Sequence, residues 1–374
     1  MAEHNQVLYR KYRPKSFDEV IGQEQVVRVL NNSLKQGRVA HAYLFSGPRG
    51  VGKTTIARLV AKALNCAKSD FHGKSDFNGS VPCNTCESCN EFNAGSSFNL
   101  IEIDAASNRG IDEVRELRES VRFVPSKGKY KVYVIDECHQ LTKDAFNALL
   151  KTLEEPPAHA IFILATTELD KVPATIISRT QQFDFRRPSI KDTKNKLAKI
   201  CGLEEIDFED EALETIALIA EGSMRDAESV LGRILAVEDK NVTAEAIYKI
   251  LGLPKKEYIR NLFSCLASNE RGKAFSLISE MVKEGYDMQY IAKILLRYFR
   301  NSMLLKSDSG LEQVLLEEET REDIEFLKSC LVLFSQERLN LCIRIFLGAQ
   351  ELLKKSPIPQ LPLEMAVYEI TKLT

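Results

Sequence analysis

An α/β nucleotide-binding fold, with a parallel sheet held between helices and an all-helical remainder, is what this 374-residue sequence predicts. Three observations carry that expectation. Short apolar runs alternate with helical patterns through the first 185 residues, as parallel strands covered on both faces require. The segment GPRGVGKT (47–54) fits G-x-x-x-x-G-K-[ST] and stands between a strand and a helix, where glycine-rich backbone can curl around phosphates. After FDFRRPS (183–189) the strand signal stops and amphipathic helices take over.

In chain order, AYLFS (42–46), LIEID (100–104), KVYVIDE (131–137) and AIFILATT (160–167) read as buried strands. TTIARLVAKAL (54–64) reads as the helix that follows the glycine-rich loop. Phe146, Leu149, Leu150 and Leu153 keep the i, i+3, i+4, i+7 spacing of one helix face, with Thr142 as its N-cap and Pro156-Pro157 as its stop. Residues 190–245 read as a small helical unit with an acidic patch, LEEIDFEDEALE. From about Gly252-Leu253-Pro254 onward come longer amphipathic helices, including 290–305 and 339–353. Their apolar residues serve either a bundle's own core or an oligomer interface.

The length suits two or three domains, and 44% hydrophobic with 28% charged residues suits well-cored ones. No run approaches the roughly 18 uninterrupted apolar residues of a membrane span. MAEHNQVLYRKYRP lacks the apolar centre of a secretory signal. The chain is therefore expected in the cytoplasm, off the membrane, and its nine cysteines are not expected to form a disulfide framework. A net charge of −2 gives no sign of nucleic acid, yet residues 1–62 carry eleven Lys and Arg against four Asp and Glu. That excess is either a solvated surface with the cations a phosphate site needs, or a face turned to a polyanion.

Within the glycine-rich loop, Gly47, Gly50, Val51, Gly52 and Thr55 supply the phosphate cradle. Lys53 is expected to reach the β- and γ-phosphates, with the Thr54 hydroxyl on Mg2+. The apolar strand ending in Asp136-Glu137 is the partner signal: Asp136 is placed to hold the Mg2+ shell and Glu137 to polarise an attacking water. His139 reads as a supporting residue behind that pair. Thr166 and Thr167 end the next strand, where a hydroxyl either holds the water or γ-phosphate or simply turns the chain.

VPCNTCESCN (81–90) places two residues between each of Cys83, Cys86 and Cys89, and Cys66 stands upstream at the end of the helix after the loop. C-x16-C-x2-C-x2-C suits a tetrahedral Zn2+ site of four thiolates. Free thiols or one redox pair fit less well: KSDFHGKSDFNGS offers no apolar cover, and three evenly spaced cysteines exceed a pair. Thirteen helical residues separate Cys66 from Lys53, roughly 20 Å, and four thiolates leave no open coordination position, so the metal is expected to be structural.

With these pieces in place, the chain resembles the AAA+ superfamily and, more closely, the gamma/tau ATPase subunits of the bacterial DNA polymerase III clamp loader. The resemblance rests on YRKYRPKSFDEVIGQE (9–24), HAYLFSGPRGVGKTT (41–55), LIEIDAAS (100–107) and VIDECHQL (134–141). FNALLKTLEEPP (146–157), LATTELDKVPATIISR (164–179) and EGSMRDA (221–227) extend it over residues 9–230. It implies an AAA+ P-loop domain at 1–185 with a zinc-binding insertion at about 66–98, a small helical lid domain at 186–248 and an all-α collar and oligomerisation domain at 249–374. It also implies that Arg13, Pro14 and Val20 form part of the adenine pocket, that Arg225 touches the bound nucleotide, and that Arg179 is an arginine finger reaching a neighbour's ATP.

Two features depart from the family pattern: Ser178-Arg179-Thr180 stands where Ser-Arg-Cys is usual, and the Cys66–Cys83 gap is long. The cysteine module itself separates this family from replication factor C and from Holliday-junction motors. The function implied is an ATP-hydrolysing motor that opens a sliding clamp and closes it on primed DNA within a hetero-oligomer. Other loader subunits would be its partners, with the polymerase core reached through C-terminal segments of longer members. Arg109 and Lys143, on helix N-terminal turns, are the residues implied for DNA phosphates, although Asn108 and Gly110 stand where further basic residues are common. The rivals are a related helicase or branch-migration motor, and a stator subunit that binds nucleotide without hydrolysing it.

Overall fold

The computed structural model describes residues 6–69, 81–125, 127–238, 241–316 and 319–372. Five parallel strands form the central sheet: β1 Ala42–Ser46, β2 Leu100–Asp104, β3 Lys131–Asp136, β4 Ala160–Thr166 and β5 Gln181–Asp184, in the order β2-β3-β4-β1-β5. β1 and β4 are buried along their whole length. β5 has little strand signal of its own, because only Phe183 of its QQFD is buried.

Period-2 alternation divides the strand residues between two layers. Tyr43, Phe45, Val132, Val134, Ile161 and Ile163 pack toward helices α2 (Glu24–Lys35) and α3 (Lys53–Leu64), through Leu30, Leu34, Ile56 and Val60. Leu44, Tyr133, Ile135, Phe162 and Leu164 face α5 (Ile111–Val121) and α6 (Lys143–Glu154), through Val114, Leu117, Leu149 and Leu153. Short helices α1 (Leu8–Lys11), α4 (Glu87–Ala94) and α7 (Ala174–Ile177) complete this region. Thr142 caps α6 by accepting the Ala145 N–H at 3.3 Å, and the helix stops two residues before Pro156.

Register brings the carboxyl ends of the strands together. Asp104 lies opposite Asp136, and Ser46 opposite Thr166. In open parallel sheets that edge is where ligands bind.

The chain forms two compact units, residues 1–200 with 220–233, and residues 201–219 with 234–374. The first adds α8 (Ile190–Leu203) up to Ile200, and most of α10 (Met224–Leu235), to the sheet. The second contains α9 (Asp210–Ile219) and α11–α18, which begin at Ala244, Lys256, Arg271, Met288, Glu312, Arg321, Gln336 and Leu361. Its mainly aliphatic core holds a cluster of aromatic rings: Phe263 meets Phe299 at 4.9 Å between centroids, and Phe299 meets Phe346 at 5.2 Å. The long helices read from the sequence at 290–305 and 339–353 appear as Met288–Ser307 and Gln336–Leu353. Strand pairing does not stop after residue 189, however. Asp207–Phe208 and Asn241–Val242 make a two-residue parallel pair, too short to leave an alternating pattern.

Candidate nucleotide-binding site

The loop between β1 and α3 has the conformation its glycines allow. A Cβ at Gly47 would fall 2.4 Å from the Phe185 carbonyl oxygen, and Gly50 (φ +77°) is pressed against Ser223. Lys53 is buried, and its Nζ donates to the carbonyls of Gly47 at 2.6 Å and Pro48 at 2.8 Å. Burial lowers the Lys53 pKa, against the opposing pull of Glu137 and Asp136. The first turn of α3 presents Thr54, whose hydroxyl donates to Asp136 Oδ2 at 2.7 Å. Oxygens about 2.9 Å apart are what two adjacent ligands of an octahedral Mg2+ need, given metal–oxygen distances of about 2.05 Å, so the Thr54–Asp136 pair fits that ion.

Around this loop lies a cavity of about 430 Å³. Of the residues expected from the sequence, Arg13, Pro14, Val20, Gly50, Val51, Gly52, Lys53, Thr54, Thr55, Asp136, Glu137 and Arg225 line it. Gly47 lies just behind, its N–H bonded to Thr166 O at 3.2 Å. Thr167 reaches the cavity through Glu137, donating from Oγ1 to Glu137 Oε2 at 2.9 Å. Glu137 has a left-handed backbone (φ 49°) just past the end of β3, uncommon for a residue with a side chain. His139 Nδ1 stands 3.0 Å from Thr166 Oγ1 and 3.4 Å from Glu137 Oε2, joining the ends of β3 and β4.

Arg225 stacks over the Tyr9 ring at 4.8 Å, and the guanidinium beside it lowers the Tyr9 pKa. The Met224 N–H donates to Gly50 O at 3.1 Å, fastening the start of α10 to the phosphate loop. Sequence reasoning missed Tyr9, Asp104, Pro188, Lys196, Met224 and Glu228, all of which line the cavity. Two signals could have found some of them. Asp104 ends a strand in register with Asp136, and Glu228 stands four residues after Met224 and three after Arg225, the spacings of helix neighbours.

Arg179 lies outside the cavity lining. Its guanidinium donates to Glu154 Oε1 and the Thr175 carbonyl, at 2.8 and 2.9 Å. Arg109 and Lys143 are exposed on adjoining segments, joined by the Thr142 N–H to Arg109 O bond at 3.0 Å.

The sulfur atoms of Cys66, Cys83, Cys86 and Cys89 all lie within 4.8 Å of one another, with Cys83 and Cys89 at 3.9 Å. A Zn–S bond of about 2.3 Å in tetrahedral geometry sets sulfurs about 3.8 Å apart, so the donor set fits Zn2+. Cys86 also caps α4, accepting the Cys89 N–H at 3.4 Å. The neighbouring sulfur of Cys89 pushes the Cys66 pKa down, and Cys66 in turn pushes that of Cys89 up. The loop read from the sequence as lacking apolar cover falls largely at 70–80, outside the described residues.

Comparison with known proteins bears on all three regions. Residues 22–189 match the family described as DNA polymerase III, delta subunit. Residues 192–240 match the DNA polymerase III clamp loader subunit, ATPase lid domain, and 242–373 match DNA polymerase III subunits gamma and tau domain III. The DNA polymerase III subunit gamma of Buchnera aphidicola is 38% identical over 97% of this chain and 97% of its own length. Subunit tau of Bacillus subtilis is 43% identical over 83% of this chain and 54% of its own length; that of Escherichia coli is 40% identical over 76% and 43%. The chain thus spans about half the length of those tau relatives. Among solved structures, the Thermotoga maritima RuvB branch migration motor superposes with a TM-score of 0.50 at 22% identity, over 68% of this chain and 79% of RuvB. That likeness is one of fold. No helix among the described residues is long and apolar enough to cross a membrane.

Proposed function

Because the chain belongs to the gamma and tau family of DNA polymerase III subunits, we propose that it is the ATP-hydrolysing motor subunit of a clamp loader, opening a ring-shaped sliding clamp and closing it on primed DNA. The observation that carries the catalytic half of this reading is the convergence of Lys53, Thr54, Asp136 and Glu137 on one cavity. A stator subunit would have no use for that complete set.

ATP binds with its phosphates at the N-terminus of α3, where unpaired N–H groups and the helix dipole favour negative charge. Lys53 exchanges its carbonyl partners for phosphate oxygens. Thr54 and Asp136 hold Mg2+, which when bound neutralises developing charge on the phosphates. Glu137 orients water for attack, with Thr167 holding the carboxylate. Arg13, Pro14 and Val20 take the base, Arg225 contacts the nucleotide, and Arg179 serves the site of a neighbouring subunit. Cys66, Cys83, Cys86 and Cys89 hold a structural Zn2+.

The matched ranges support the division of the chain near residues 185 and 248, with the last part acting as an oligomerisation collar. Other loader subunits, the clamp and primed DNA are the partners in this reading, with Arg109 and Lys143 on DNA phosphates. The polymerase core joins through segments that longer relatives carry, and the assembly works in the cytoplasm. The test is steady-state ATP turnover by the reconstituted loader. Clamp and primed DNA together should stimulate it; turnover indifferent to both would refute the loader reading.

A further inference from the structure

Glu228 is 5% exposed, yet it lines the nucleotide cavity. No ion pair or hydrogen bond satisfies its carboxylate among the described residues. Its nearest compensation is the charge of Lys196, 9% exposed on α8 and lining the same cavity. Lys196 does not neutralise it by contact: its Nζ donates to the Tyr12 carbonyl at 3.3 Å. That bond sets the pair beside the segment carrying Arg13 and Pro14, which also line the cavity. A buried carboxylate without a donor is costly, so a group aimed into a binding cavity is matched to a donor on the ligand.

Resting on the ATP-binding reading above, we propose that Glu228 is a specificity-determining residue, its carboxylate accepting a hydrogen bond from the exocyclic amino group of adenine. The chemistry of a nucleoside triphosphate narrows the choice. Its phosphates only accept hydrogen bonds and would repel a carboxylate, so the partner lies on the base or the sugar. Position favours the base. Glu228 follows Met224 by one turn of α10, on the face that also carries Arg225, and stands with Lys196 by the Arg13-Pro14 segment rather than on the phosphate loop. A 6-oxo purine would set acceptor against acceptor there, whereas adenine offers the N–H. Lys196 keeps the carboxylate from being an isolated buried charge. Burial pushes the Glu228 pKa up to about 7 and Lys196 pulls it back, as expected of a group whose donor arrives with the ligand.

The experiment is equilibrium binding at about pH 8.5, where the Glu228 carboxyl is ionised and can only accept, of the purified chain to ATP, purine riboside triphosphate (ATP without the amino group), GTP and 2′-deoxyATP. The wild-type chain should prefer ATP over purine riboside triphosphate by roughly 10- to 100-fold, the span of a hydrogen bond to a charged acceptor, and should reject GTP. Glu228→Leu should collapse that preference by weakening ATP alone, while Glu228→Gln, which keeps a carbonyl acceptor, should retain part of it. A wild-type chain indifferent to the amino group overturns the proposal whether or not the leucine variant folds. So does a leucine variant that keeps the full preference, as a merely structural carboxylate would allow, or one that loses discrimination against 2′-deoxyATP instead, which would put the carboxylate on the ribose. If the wild-type chain binds the whole nucleotide set weakly and without preference, the ATP-binding reading falls, and this inference with it.

Discussion

The hydroxyl of Thr167, one residue past β4, donates a 2.9 Å hydrogen bond to the carboxylate of Glu137, one residue past β3. Two neighbouring strands thereby set the direction of the group proposed to activate water. Thr167→Val preserves shape and removes the donor. ATP turnover should fall by about 10-fold or more, since positioned acid–base groups contribute roughly 10²–10⁴ in rate. ATP affinity should change little, and a titration alongside the rate measurement separates the two. A variant that binds ATP poorly but turns over normally once saturated would assign Thr167 to binding instead.

The cysteine cluster should hold about one zinc per chain. Cys86→Ser should lose it while leaving a hydroxyl that can still cap α4, so the loss reports on the metal rather than on the cap. Destabilisation should be large, because structural zinc sites carry on the order of 10 kcal/mol of apparent binding energy. Lys62 should transmit the damage: its buried Nζ donates to Asn84 and Asn93 of the cysteine module and to the Lys15 carbonyl at 3.0 Å. Elemental analysis of never-chelated protein checks the metal, and thermal unfolding with and without a chelator checks the stability. Protein free of zinc with an unaltered melting transition would remove the assignment.

Glu228 makes stability depend on pH. Its carboxyl is raised from 4.5 to about 7, first by burial, against the charge of Lys196 on α8. Tyr9, Glu19 and Arg225 line the same cavity. Between about pH 4.5 and 7 the folded chain holds a proton that the unfolded chain has released, so this group's contribution to stability falls as pH rises through that window. Glu228→Gln removes the dependence. The variant should match the wild type near pH 4.5 and exceed it by up to roughly 3 kcal/mol at pH 8. Denaturant unfolding across that range is the measurement, and a constant difference between the two proteins would count against it.

Elements whose own residues are buried were legible in the sequence: β1 and β4 are buried throughout and apolar up to their last residues, and the α6 face appears with Phe146, Leu149 and Leu153 buried and Leu150 half-buried. β5 was not, because an edge strand with one inward residue carries almost no pattern. The phosphate loop and the Asp136-Glu137 pair announce themselves through local chemistry. Lys196 and Glu228 do not. They are single charged residues on amphipathic helices, indistinguishable from solvated ones until the chain folds and buries them. The Arg179–Glu154 pair is a contact across 25 residues that no spacing rule foretells.

Arg179 should act on a neighbour. It is bonded to Glu154 and the Thr175 carbonyl of its own chain and lies outside its own cavity. Arg179→Ala should leave ATP binding by the mutated chain nearly intact while reducing hydrolysis at the adjoining site by roughly 10³–10⁵. Lys53→Ala should abolish binding at its own site. Mixed complexes of the two variants should recover part of the activity, because some interfaces then join an intact loop to an intact arginine. Demonstrably monomeric protein hydrolysing ATP as fast as the complex would rule out action in trans.

The most direct test of the account is Glu137→Gln in the reconstituted loader, followed by ATP affinity and steady-state turnover in the presence of clamp and primed DNA. The substitution keeps the size of the side chain and removes the charge that activates water. The account predicts ATP affinity within about 2-fold of wild type and turnover reduced by roughly 10²–10⁴. Hydrolysis persisting at the wild-type rate would contradict it, because the motor's ATP would then be cleaved somewhere other than this cavity.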